Sequence, residues 1–298
     1  MKASSFIAML TGALVLAPAS SAWACATCAC GDPTLTSMGD EQPFEGRLRL
    51  STTLRAWGHT LGRDGEDALR LRELRMDVAV AYAPRSWLVL AANLPLQLRE
   101  TRDVSLTRER GWGVGEVDVS AKAFVWKDKE FSPDQLVSVV AGVKLPTAPV
   151  LHARDGSVLG LDAQPGSGSV DPMAGLSWQG FRGTWSFAAS ALGFLPTRGR
   201  EGFRAGASLR TALAAQYQPG TRWAVRLGVD SRLEAANDTH GVREENGGGF
   251  IAYASPDLLF SPTMDVTLQA GVRVPFLNQL RGRVAPTPIA QVSLAYDL

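Results

Sequence analysis

The sequence predicts an all-β protein: an antiparallel transmembrane β-barrel of about twelve strands, with both termini on the periplasmic side. Three observations predict it. Side-chain character alternates with a period of two along most of the chain after Pro43. The connections between alternating segments are short and long in turn, and aromatic side chains gather beside the short ones.

The alternation is plain in "RLRLSTTLRAW". Arg47, Arg49, Ser51, Thr53 and Arg55 fall on one face, and Leu48, Leu50, Thr52, Leu54 and Ala56 on the other. "LVLAANLPLQLRE", "GVGEVDVSAKAFVW", "MDVTLQAGVRVP" and "AQVSLAYDL" repeat it. A period of two is that of a strand, in which successive side chains point to opposite sides. About twelve such segments begin near residues 44, 68, 86, 113, 135, 167, 182, 202, 221, 248, 264 and 286. Soluble strands usually run to about 5–6 residues. These are longer, and a tilted strand of about 9–11 residues crosses a bilayer. No stretch after the first 24 residues approaches the about 18 apolar residues of a membrane-spanning helix.

The connections "PRS", "KDKEFSPD", "QGFRG", "PGT" and "SPT" are compact. They alternate with longer polar ones, the longest being "APVLHARDGSVLGLDAQPG". Outer-membrane barrels have tight periplasmic turns and large external loops. Tyr82, Trp87, Trp126, Trp178, Trp185, Tyr217, Trp223 and Phe260 lie beside the short connections, as an interfacial girdle does. At the C-terminus, Leu298, Tyr296, Leu294 and Val292 alternate. This is similar to the closing-strand signal read by the barrel assembly machinery, with Leu298 where Phe is usual. Two irregularities interrupt the pattern. Leu69 and Leu71 are out of phase with Leu74, Met76, Val78 and Val80, which suggests a bulge near Arg72–Glu73. Pro95, Pro146 and Pro275 lack a ladder donor and mark kinks, strand ends or narrow points.

Ahead of the barrel, Lys2, the apolar run "FIAMLTGALVLAP" and the small residues Ala22 and Ala24 read as a signal peptide over residues 1–24. Cleavage makes Cys25 the first mature residue, in an oxidising compartment of the bacterial envelope. Residues 25–43 then form a Cys-containing N-terminal segment, and residues 44–298 the barrel. Cys25, Cys28 and Cys30 give C-x-x-C-x-C. A disulfide, a Zn(II) or Cu(I) site, lipidation of Cys25 and a purely structural role all remain open. Asp32 or Met38 could complete a metal site. No C-x-x-C-H is present, so haem attachment is not indicated. The small, polar "GDPTLTSMG" next to the first strand could plug the barrel mouth.

Four motifs occur in order: "GVGEVDVSAKAFVW", "VVAGVKLPT", "GSGSVDPMAGLSW" and "GGGFIAYASPDLLFSPTMDVTLQAGVRVPF". Over roughly residues 86–298 the chain resembles the transporter-like family named for the MetA-pathway of phenol degradation. Glu116 stands where that family more often has Asp. The resemblance implies an outer-membrane barrel of unknown substrate, with no catalytic residues to carry over.

In a barrel of this kind the polar face points inward. That assigns Arg47, Arg49, Arg55, Arg75, Arg99, Lys122, Lys144, Arg204, Arg210, Arg226, Arg232 and Arg273 to the lumen. Asp77, Glu116, Asp118, Asp171, Asp230 and Asp297 face them, about half as many. A cationic surplus in a confined channel concentrates anions. The expected function is therefore a channel or transporter for passive passage of small polar, anionic solutes. Inward Arg–carboxylate pairs that close the lumen are the competing reading. A metal-binding or sensing barrel using the cysteines is an alternative. A lipid hydrolase is a further one, with His59, His152 and His240 as its only histidines. No G-x-S-x-G or H-E-x-x-H supports an enzyme. Expected partners are outer-membrane lipid, the assembly machinery and the solute. The net charge of +1, with no basic block, excludes nucleic acid.

Overall fold

The computed structural model describes residues 43–62, 68–105, 107–130, 132–244 and 246–298. The expected signal peptide, Cys25, Cys28, Cys30 and nearly all of the expected plug segment lie outside the described residues. Among those described, no helix is long and apolar enough to cross a membrane. Strands do the crossing.

Twelve strands form a closed antiparallel ring. They are β1 Leu48–Leu61, β2 Leu69–Arg85, β3 Leu88–Arg102 and β4, which is in two pieces, Arg108–Val114 and Asp118–Lys127. Then come β5 Gln135–Lys144, β6 Asp171–Arg182, β7 Trp185–Phe194 and β8 Ser208–Tyr217. β9 Trp223–Glu234, β10 Gly249–Phe260, β11 Val266–Leu280 and β12 Ile289–Asp297 complete it. β1 pairs β2 from Leu61↔Leu69 to Leu48↔Tyr82 and closes on β12 from Arg49↔Asp297 to Ala56↔Ala290. Closure leaves no strand edge unpaired in hydrocarbon, where an unsatisfied backbone group is costly.

Both ends of the ring lie at the short-turn end. A two-residue turn there, between β6 and β7, puts Gly183 at φ +61 with nothing within 4 Å of where a Cβ would sit. The commonest two-residue hairpin turns have positive φ at their first central position, and glycine supplies it without strain. At the opposite, long-loop end, Phe203–Arg204, Asp238–Thr239 and Val242–Arg243 form a separate small sheet.

The alternation sorts the chain between two solvents. Leu50, Leu54, Leu74, Val78, Leu90, Leu213 and Leu227 stand exposed on the outer wall. In water this would be a large apolar patch; against lipid it is the buried surface. The girdle is present: Tyr82, Trp87, Trp126, Trp178, Trp185, Tyr217 and Trp223 are exposed beside short turns. Trp223 stacks on Phe260 at 4.3 Å, and Trp185 tilts against Tyr217 at 5.0 Å. Inside, apolar contacts shrink to small clusters such as Val140, Met173 and Leu192 with Phe194.

The expected bulge near Arg72–Glu73 does not occur. β2 keeps unbroken register with β1 and β3 through this stretch. Leu71 points inward and is 1% exposed, while Arg70 and Arg72 point out. The faces exchange character, not direction. Of the three prolines, Pro95 lies inside β3 and faces inward, Pro146 lies beyond the end of β5, and Pro275 sits in β11. At Pro275 the register does shift: Ala252 pairs Leu277 but Tyr253 pairs Pro275, leaving Phe276 extra. Proline removes a ladder donor, so a bulge is where it fits.

Unbroken register at Leu71 gives a checkable asymmetry. Leu71→Ala should cost about 2–5 kcal/mol, while the outward Arg72→Ala should cost less than about 0.5 kcal/mol. Urea titration of the vesicle-refolded barrel measures both. Equal costs would restore the bulge.

Candidate functional site: the lumen and its inserted loop

The inward face forms three levels. At the short-turn end a cavity of about 620 Å³ opens outward, lined by polar groups including Arg222, Gln216, Ser293 and Asp297. Arg47 and Arg49 project into it from the start of β1. Both bind Asp297 of β12, each with a 2.7 Å ion pair. The first and last strands are therefore joined by side chains as well as by their ladder.

The middle level is held together by ion pairs. Asp77, 1% exposed, accepts hydrogen bonds from Arg55, from Arg75 Nε at 2.8 Å and from Asn93 Nδ2 at 3.3 Å. Asn93 also reaches Asp118 at 3.3 Å. On the same side Glu73 takes Arg99 Nε at 2.9 Å. Lys144 joins Glu116 and, at 2.6 Å, Asp171. Across the ring, Asp257 accepts Arg226 at 3.1 Å and Gln291 at 3.0 Å. Arg273 lies 3.3 Å from Asp230, which also accepts from Ser255, and Arg232 lies 3.3 Å from Glu234. Lys122 and Arg210 lie over the rings of Phe124 and Phe194, at 5.1 and 4.2 Å. Period-two geometry delivers all these groups to one interior, and low dielectric there strengthens each pair.

The third level is a loop. Residues 145–170 leave β5, turn back and enter the barrel, with residues 162–167 buried. Arg99 Nη1 holds the carbonyl of Gln164 at 2.7 Å. Glu116 accepts from the backbone N–H of Gly168 and from Ser167 Oγ at 3.2 Å. Gln164 braces the loop on itself through Leu151 N at 2.9 Å and the carbonyls of Leu151 and Leu159. Arg200, from the next long connection, donates to the carbonyl of Ala148. The loop packs so closely that a Cβ on Gly111 would lie 2.1 Å from the Ala163 carbonyl oxygen. Where it enters, β4 is interrupted at Gly115–Val117: Gly115 N–H still bonds the Pro95 carbonyl at 2.7 Å, but Val117 N–H turns to Thr147 Oγ1 at 2.8 Å.

The charge assignment changes in two ways. Arg204 is not in the lumen. It is exposed in the small sheet above the barrel, because β8 begins only at Ser208. Further acids face the lumen: Glu73, Glu234 and Asp257 are buried, each beside an arginine, and Glu109 accepts from Gly160 N of the inserted loop at 3.2 Å. Asp257 was legible, since it alternates with Ser255 and Tyr253. Glu73 was hidden by the supposed bulge, and Glu234 by its place at a strand end. The expected two-to-one cationic surplus nearly disappears.

Of the histidines, His59 faces a small cavity of about 60 Å³ near the long-loop end, with Trp57, Tyr253 and Thr287. Arg232 and Glu234, themselves paired, line the same cavity. His152 and His240 are exposed in long connections. Among the described residues no cluster could hold a metal ion.

Comparison with known proteins gives a family and a fold. The family model described as "Putative MetA-pathway of phenol degradation" matches residues 68–276. The crystal structure of an outer membrane channel from Pseudomonas putida F1 aligns with a TM-score of 0.66 at 12% identity, covering 87% of this chain and 97% of that one. The CymD monoaromatic hydrocarbon channel aligns over 90% and 92% of the two chains, with 12% identity and a TM-score of 0.48. A FadL homologue from Pseudomonas aeruginosa aligns over 84% and 90%, with 10% identity and a TM-score of 0.45. No curated protein matches in sequence. A model that spans β2 to β11, on a ring closed as an outer-membrane barrel, places the chain plainly: it belongs to the MetA-pathway phenol-degradation family of β-barrels.

Proposed function

We propose that the barrel is an outer-membrane channel for small polar solutes, with a modest preference for anions, and that its resting lumen is closed. The observation behind this reading is the arrangement along the bore: an open polar cavity at the short-turn end, an ion-paired level beyond it, and a loop carried into the barrel from the other end. A wall built only for stability has no need of a loop carried into its own bore. The long loops face the exterior and the short turns the periplasm, following the general pattern of such barrels. The mature N-terminus then begins in the periplasm after signal cleavage.

The anion preference rests on the periplasmic cavity rather than on the whole lumen. There, Arg47 and Arg49 share one carboxylate, and Arg222 adds a further positive charge. A net positive vestibule raises local anion concentration. The middle level is close to balanced and adds little selectivity, and the inserted loop is the barrier. Opening requires the loop to leave Arg99 and Glu116, both of which have other partners, Glu73 and Lys144. They need not be left as bare charges when it moves.

Three measurements test this. In planar bilayers under a salt gradient, the reversal potential should have the sign of anion preference; the cationic sign overturns the solute class. Deleting residues 151–165 should raise single-channel conductance severalfold, and unchanged conductance would show that the loop is not the barrier. Asp77→Ala should cost about 3–5 kcal/mol in urea titration, because it leaves two guanidinia facing each other without their carboxylate.

A further inference from the structure

The outer wall of β2–β4 changes character abruptly toward the long-loop end. The registers stack three cross-strand rows. Leu74, Leu98 and Trp112 form an apolar row. Arg72, Glu100 and Arg110 form the next, and Arg70, Arg102 and Arg108 the last. All five arginines are exposed, and Trp112 is 77% exposed. Neighbouring strands are about 4.8 Å apart and alternate residues about 6.8 Å, so the two charged rows fit within a patch about 10 Å across.

Glu100 is the only carboxylate in these rows. It pairs with Arg108 and also lies in the field of Arg110 and Arg72. The last row sets like charges directly opposite one another on adjacent strands, an arrangement that concentrates positive charge at this edge of the wall. Elsewhere toward this end the exposed wall is apolar, at Leu195, Leu209, Leu233 and Phe276. The cationic rows are thus local, and they lie outside the barrel, where no solute in the lumen meets them. They begin one row beyond the apolar belt, at the level of lipid headgroups.

We propose that this patch is a docking site for the phosphoryl groups of a phosphorylated glycolipid of the outer leaflet. Guanidinium forks match phosphate oxygens bidentately and stay charged at any physiological pH. The acyl chains then run down over Leu98, Leu74 and the Trp112 ring. Placement in the outer leaflet rests on the orientation given under Proposed function; the binding chemistry does not.

The test uses the detergent-folded full barrel with bisphosphorylated lipid A, and with the same lipid after enzymatic removal of its phosphates. The wild type should bind the phosphorylated form at least about tenfold more tightly, and the combined Arg70→Ala, Arg102→Ala, Arg108→Ala variant should lose that preference. A control variant, Arg154→Ala with Arg243→Ala, should keep it. Heat-modifiable migration on gels checks folding; if the triple variant does not fold, Arg102→Gln alone should weaken the preference about threefold. Preference retained in the variant, no preference in the wild type, or full displacement by equimolar inorganic phosphate would overturn the site. An epitope inserted after Gly156 and probed on intact cells tests orientation separately. An unlabelled epitope would overturn the outer-leaflet placement while leaving the detergent result standing.

Discussion

Everything in this structure depends on one pairing, that of β1 with β12. A sheet in hydrocarbon cannot leave its first and last strands open, because no water is present to bond their free N–H and C=O groups. Closing the ring solves that problem and creates another. Each strand's inner side chains now face one another across a narrow bore. With lipid outside, the apolar half of every strand is fully employed on the wall. The polar half has to make its own arrangements within the lumen. Arg47 and Arg49 meeting Asp297 at the seam show both solutions in one place: the backbone closes the ring and the side chains tie it.

The ion-paired middle level follows from that confinement. A buried charge without a partner is expensive, and a pair gains only when geometry and extra hydrogen bonds are good. Asp77 meets the condition with two guanidinia and one amide, and Asp257 with one of each. The arrangement is strongest where strands bring opposite charges to neighbouring positions. Arg55 and Arg75 are cross-strand partners by register, and like charges there would repel without Asp77 between them. The same economy explains the inserted loop. Arg99 and Glu116 have bonding capacity left after pairing with Glu73 and Lys144, and the loop backbone fills it.

How much of this the sequence displays depends on whether a feature is periodic. The twelve strands, the girdle and nearly all the lumenal cations follow from a period of two, and each can be read one segment at a time. Arg204 fails that reading because a short strand in a loop alternates as well as one in the wall, and nothing local says which sheet it joins. The loop over residues 145–170 fails for a different reason. Its composition is that of any external loop, rich in glycine, proline and polar residues. Its inward course is set by partners far away in sequence, Arg99, Glu116 and Arg200, which no local pattern announces. The cysteines announce themselves clearly by spacing, yet spacing alone chooses no ligand.

The exchange of faces in β2 ties the inside of the barrel to its surroundings. From Tyr82 to Leu74 the outward residues are apolar and the inward ones mostly polar or small; from Arg72 to Arg70 the outward residues are charged while Leu71 and Leu69 point in. A register bulge would produce the same one-dimensional pattern, but the unbroken ladder removes it. The remaining cause is the solvent: the strand leaves hydrocarbon between Leu74 and Arg72. Ten residues separate Tyr82 from Arg72, and at about 3.3 Å each and a tilt near 40° they rise about 25 Å, the height of the apolar band of such barrels. A phase change in the sequence, without a break in register, therefore marks the membrane boundary. It also explains why arginine rows on the wall and leucines in the bore occur at the same level. Above the boundary the outer face meets headgroups and water, so the polar residues move out and the apolar ones turn in.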